Sequence, residues 1–186
     1  MAKAAAPQPV KLIVPMLAAD TALFGAAQAR LAAHLGEADY VSAPLPFGYT
    51  HYYEPEFGPG LLRQFIALRR LIDPGSLAEI KTLTNALEEE WRLAGKRRLN
   101  LDPGYLDGGK LVLATTKNHS HRIYLRDGIY AEVTLIYRHK GYVALPWTYP
   151  DYASEDYQQI LREVRALYLS QLRALDRSQP LTRRSG

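Results

Sequence analysis

The chain contains no cysteine. Disulfides, thiolate nucleophiles and cysteine-ligated zinc or iron–sulfur sites are therefore excluded. It also lacks any run approaching the roughly 18 apolar residues of a membrane span. The longest apolar stretch, residues 12–19, is broken by Pro15 and runs on into a helical pattern, so it reads as a strand rather than a signal core. Neither sign of charge dominates: 23 Lys and Arg face 19 Asp and Glu, and the basic excess includes Arg183 and Arg184 in a polar tail. A dedicated nucleic-acid binder shows a denser basic stripe. The composition predicts a cytoplasmic protein without a membrane partner.

What is present is enough for one core. A chain of 186 residues fits a single domain. Residues 1–9 are small, Pro-punctuated and expected to be disordered, residues 10–176 form the domain, and residues 177–186 are a frayed tail. Strands are predicted at 11–18, 38–45, 98–101, 110–116, 122–125, 129–137 and 142–145. Arg126-Asp127-Gly128 supplies a hairpin turn. Helices are predicted from the Asp20 cap to Gly36, over 61–72, over 77–94, and from Ser154 along Ile160, Val164, Leu167, Leu172 and Leu175. The expected fold is α+β, a mixed and mostly antiparallel sheet with about four helices packed on it.

The functional side chains cluster between Lys81 and Asp151. Lys81, Asn85, Glu88 and Arg92 fall on one stripe of the third helix. A solvated face laced with ion pairs explains such a stripe equally well, except for Asn85, a poor helix former. Asn100 and Asp102 alternate on an extended segment ahead of Pro103-Gly104, and Tyr105 follows. A turn accounts for Asp102, Pro103 and Gly104, less well for Asn100. The densest stretch is Thr115-Thr116-Lys117-Asn118-His119-Ser120-His121-Arg122. There, Lys117, His121, Arg122 and the two threonine hydroxyls are the donor types that hold phosphate oxygens. His119 and His121, two residues apart on extended chain, form a candidate metal pair that Asp102 or Glu132 could complete. Glu132 sits in an apolar strand. It therefore faces solvent, pairs with a cation, or acts as a general base or metal ligand.

Residues 46–60 combine Pro and Gly with Tyr49, His51, Tyr52, Tyr53, Glu54 and Glu56, the composition of a functional loop, and residues 49–56 within it form a candidate lid. The chain has 13 tyrosines. Those near the cluster suit a base or a sugar, although half-buried sheet positions explain tyrosine too.

Two nucleotide motifs fail on inspection. Residues 104–110 spell G-x-x-x-x-G-K, but Leu111 replaces the magnesium-side hydroxyl, and a strand follows where a helix is required, so Asp107-Gly108-Gly109 reads as a turn. Thr116-Lys117-Asn118-His119 resembles a guanine-reading pattern with its aspartate replaced by histidine.

Six separated motifs, FGYTHYYEPEFG, KTLTNALE, NLDPGYL, LVLATTKNHSHRIYL, GIYAEVTLIY and PWTYPDY, occur in this order. On them the chain resembles the bacterial domain-of-unknown-function 4416 family over residues 10–175. The resemblance implies a stand-alone prokaryotic cytoplasmic protein and supplies no catalytic residues. Members often carry the label GTP-binding protein, which the failed motifs above do not support.

The residues therefore predict a site for a phosphate-bearing small molecule, a nucleotide by class, with phosphoryl or nucleotidyl chemistry in reach. Lys81, Lys117, His121 and Arg122 would hold phosphates. Asn85, Glu88, Asp102 and Glu132 would position water or a divalent metal such as Mg. Tyr49, Tyr53 or Tyr105 would pack on the base. Asn100, Thr115 and Thr116 complete the ligand set, and Glu132, Asp102 and His121 are the catalytic candidates. Two alternatives stand beside this one: an RNA-binding accessory protein using Lys96-Arg97-Arg98 and the tail arginines, and a metal-dependent hydrolase built on His119 and His121.

Overall fold

The computed structural model describes residues 3–49 and 54–178. Its centre is β1 (Val10–Ala18), buried along its whole length. Strict alternation sends Leu12, Val14, Met16 and Ala18 into one core and Ile13 into another. Each fully buried aliphatic side chain here contributes about 2 kcal/mol.

Among the described residues ten strands form one sheet in the order β10-β9-β7-β6-β1-β4-β2, with β3 on β4, β5 on β1 and β8 on β9. The remaining strands are β2 (Ala38–Val41), β3 (Leu45–Pro46), β4 (Leu62–Ile72), β5 (Asn100–Leu101), β6 (Gly104–Leu106), β7 (Lys110–Thr115), β8 (Ile123–Arg126), β9 (Ile129–Arg138) and β10 (Gly141–Ala144). Every pairing among the described residues is antiparallel. Helices α1 (Ala22–Leu35) and α3 (Leu77–Glu90) cover one face, and α4 (Glu155–Ser178) covers the other. Helix α2 (Glu54–Phe57) is a single turn. No helix among the described residues is long and apolar enough to cross a membrane.

Among the described residues the structure corrects the expected count of about four helices to three of more than one turn. Residues 61–72 are the cause. They form β4, which pairs with β1 on one side and with β2 and β3 on the other. Their Leu, Arg, Gln and Ala favour a helix, but a strand buried on both faces carries no alternation to betray it. The helix expected to reach residue 94 ends at Glu90; Ala94 and Gly95, both at positive φ, turn the chain between Leu93 and Lys96. The buried face of α4 runs through Tyr157, Leu161, Val164 and Tyr168, whereas Leu175 is exposed.

Two turns match their sequence signals. Asp127 and Gly128 take positive φ between β8 and β9, as a two-residue hairpin demands. Between β6 and β7, Asp107 Oδ1 accepts the backbone N–H groups of Gly109 and Lys110 at 2.7 and 2.8 Å, and its other oxygen takes the Lys110 ammonium. The donors that a phosphate loop would present are thus engaged by a carboxylate.

Candidate functional site

The site arises where the sheet opens. Strands β5 and β6 lie end to end along one edge of β1: Leu101 pairs with Met16, and Gly104 with Ile13. Asp102 and Pro103 link them. Strand β6 continues into β7, while β5 pairs with β1 alone. Its outer edge therefore presents the Leu101 N–H and C=O away from the sheet. Helix α3 satisfies both groups. Lys81 Nζ donates to the Leu101 carbonyl at 2.8 Å, and Glu88 Oε1 accepts the Leu101 amide at 2.7 Å. A buried amide and carbonyl each need such a partner.

Beyond this edge lies a cavity of about 530 Å³. Its walls are α3, β5, the end of β7 with the loop to Lys117, and the corner formed by Tyr149, Pro150, Asp151 and Tyr152. Arg63 of β4, only 3% exposed, lines it as well. Arg63 Nη1 lies 3.3 Å from Asp102 Oδ2, and Nη2 lies 3.8 Å from Asp151 Oδ2. The guanidinium also packs over the Phe47 ring at 5.0 Å. Arg63 Nε and the Tyr152 hydroxyl are both buried without a hydrogen-bond partner.

The other charges are more fully engaged. Arg97 grips Glu56 with two bonds of 2.8 Å and reaches Glu88 Oε2 at 3.3 Å. Glu132 Oε2 accepts Arg122 Nε at 2.8 Å and lies 3.0 Å from His121 Nε2, and its Oε1 accepts the Thr134 hydroxyl at 3.2 Å. Asp102 accepts Asn100 Nδ2 at 2.6 Å, lies 3.6 Å from Lys81 Nζ and remains 28% exposed. Burial raises the Glu88 pKa above the usual carboxylate value, against the opposing pull of Lys81 and the Leu101 N–H. It raises Asp151 likewise, with Arg63 and the Tyr152 N–H pulling the other way.

Most of the residues singled out in the sequence meet here. Lys81, Asn85, Glu88, Asn100, Asp102, Thr115, Thr116, Lys117, Arg122, Glu132 and Tyr49 all line the cavity. His121 stands behind it, bonded to Glu132. His119 is not among the lining residues; its ring stacks on His121 at 5.8 Å and 8°, and the Trp147 ring stacks on His121 at 5.2 Å and 9°. Among the described residues no group of three or more His, Asp or Glu gathers as for a metal ion, so neither Asp102 nor Glu132 completes a ligand set with the two histidines.

Tyr105 is a correction. It lines a different, shallower hollow with Asp107, Lys110 and Tyr168, because β6 turns its side chain away from the opening. Arg92 of the helix stripe points outward and pairs with Glu89. Tyr53 lies outside the described residues, as do residues 50–52 of the candidate lid. Three charged residues of the lining have no role in the site read from the sequence: Arg63, inside the helix expected over 61–72; Arg97, in the basic run Lys96-Arg97-Arg98; and Asp151, within the PWTYPDY motif. A signal existed for Arg63, since an arginine inside the apolar run 61–68 needs a partner for the same reason as Glu132.

A family model, the domain of unknown function DUF4416, matches residues 8–168. The chain belongs to this family. No curated protein and no solved structure matches it. The DUF4416 match spans β1 through most of α4, so it includes every residue described above as lining the cavity.

Proposed function

We propose that the chain binds a phosphate-bearing small molecule, a nucleotide by class, in the cavity beside Arg63, and that it does so in the cytoplasm, as the family resemblance implies. The observation that carries this reading is Arg63 itself: a nearly buried guanidinium with an unused Nε donor lining a polar cavity. A buried guanidinium with spare donors is suited to an oxyanion, which it can engage through two parallel bonds. Tyr49 and Tyr149, 44% and 54% exposed, stand at the same cavity and suit the flat face of a base. Asn85 and Thr116, also on the lining, add neutral hydrogen-bonding groups.

Phosphoryl or nucleotidyl chemistry would draw on Asp102, whose carboxylate is partly exposed beside Arg63. A magnesium ion carried by ligand phosphates needs only one or two protein carboxylates, a role Asp102 and Asp151 could fill. Glu132, as a general base, would first have to release Arg122 and His121. The RNA reading gains less support, because Arg97 turns inward to Glu56 and Glu88, and Arg98 pairs with Asp20. The hydrolase reading draws little from two stacked histidine rings outside the cavity lining.

The test is a thermal-shift series over nucleotides and other phosphate esters, with and without divalent metals. A ligand bound at a hundred times its Kd stabilises by about 2.7 kcal/mol. The proposal is lost if no phosphate-bearing compound moves the melting temperature.

A further inference from the structure

Charge balance narrows the ligand class. Among the described lining residues five side chains are cationic, Arg63, Lys81, Arg97, Lys117 and Arg122, and four are acidic, Glu88, Asp102, Glu132 and Asp151. Glu56, behind Arg97, adds another carboxylate. Arg97 and Arg122 each hold a carboxylate at 2.8 Å, and Lys81 is bonded to the Leu101 carbonyl between Glu88 and Asp102. Arg63 is the poorly compensated one. Its carboxylates stand at 3.3 and 3.8 Å, Asp102 is shared with Lys81 and Asn100, and Nε meets nothing.

We infer that this cavity selects an anion of single charge, a phosphodiester, anchored on Arg63. The inference rests on the proposed function and deepens it. A single negative charge completes the shell of Arg63. A terminal phosphate of two charges at the same place would bring its second negative charge against Asp102 and Asp151, which already stand at Arg63. An uncompensated charge in a partly buried site is strongly unfavourable. A diester also offers two non-bridging oxygens, and Arg63 Nε and the Tyr152 hydroxyl, both on cavity-lining residues, are among the buried groups left without a hydrogen-bond partner. It carries a substituent on each side of the phosphorus, and the cavity has two exposed tyrosines, Tyr49 and Tyr149, from separate loops to receive them. A simple carboxylate or a terminal phosphate carries only one.

The decisive measurement is calorimetric titration of the full chain with a dinucleoside monophosphate, ATP and inorganic phosphate, all in chelator. The dinucleoside monophosphate is expected to bind about ten-fold or more tighter than ATP. Arg63→Lys, which keeps the charge but removes the forked donor, is expected to lose about ten-fold for the diester, with its fold checked by melting. Metal-free ATP binding as tightly as the diester overturns the inference while the proposed function stands. If none of the three binds, the inference falls, and the proposed function is decided by the thermal-shift series with divalent metals. The comparison among ligands uses the unsubstituted protein, so it decides the matter even if the Arg63 variant does not fold.

Discussion

Glu88 and Leu101 are joined through a side chain and a backbone amide, 2.7 Å apart, where two strands would ordinarily pair. With Lys81 on the Leu101 carbonyl, α3 takes the place of a missing neighbour strand and keeps the sheet open at the cavity. Glu88→Ala leaves the Leu101 amide without its buried acceptor and removes the carboxylate that stands 3.3 Å from Arg97. We expect a loss of about 3 kcal/mol in denaturant unfolding. A loss below about 1 kcal/mol would show that the edge of β5 does not depend on α3.

Asp151 gives a pH prediction. Its pKa is raised in the fold above the ordinary 3.8. Between those two values the folded chain binds more protons than the unfolded one, so the stability Asp151 contributes falls as pH rises through the window. Asp151→Asn removes that titration while its amide oxygen can still accept the Tyr152 N–H. The variant should therefore gain on the parent protein as pH rises from the ordinary value, followed by urea melts at successive pH values. A difference independent of pH would contradict the raised value.

Lys110 and Tyr149 separate the true cavity from the false motif. Lys110 belongs to the Asp107 turn and lines the other hollow. Lys110→Ala should leave any nucleotide-induced thermal shift unchanged. Tyr149→Ala, at an exposed rim position, should leave the melting temperature of the free protein within a degree or so and weaken the ligand by about ten-fold. The opposite pattern would restore the phosphate-loop assignment.

Gly104 is required by close approach. A Cβ there would stand 2.3 Å from the Val112 carbonyl oxygen and 3.2 Å from Leu113 Cα, both backbone atoms that cannot swing aside. Gly104→Ala should cost about 2 kcal/mol or more and, by shifting β6 from β7, weaken ligand binding as well. Wild-type stability in this variant would mean that the strands can separate without penalty.

The strands after residue 98 were legible because turns punctuate them: Asp107-Gly108-Gly109 and Asp127-Gly128 announce their hairpins whatever the tertiary context. Strand β4 was not. Its helix-favouring residues yield to burial between β1 and β2, a constraint set by chain segments far away in sequence. That misplacement also concealed Arg63. The remainder of the site was largely legible, since Asn85, Asn100 and Glu132 each sat where local structure gave them no reason to be. What the sequence could not convey was how the charges divide, with Glu132 spent on Arg122 and His121 and Glu88 spent on a backbone amide.

The placement of β1 carries a consequence for synthesis. This apolar segment leaves the ribosome before any of its partners: one of its edges waits for residues 62–72 and the other for residues 100–106. Throughout that interval the nascent chain exposes a sticky β-prone segment with both backbone edges vacant. Such a polypeptide is expected to engage a chaperone during translation, and truncations ending before residue 100 should aggregate rather than accumulate as folded fragments.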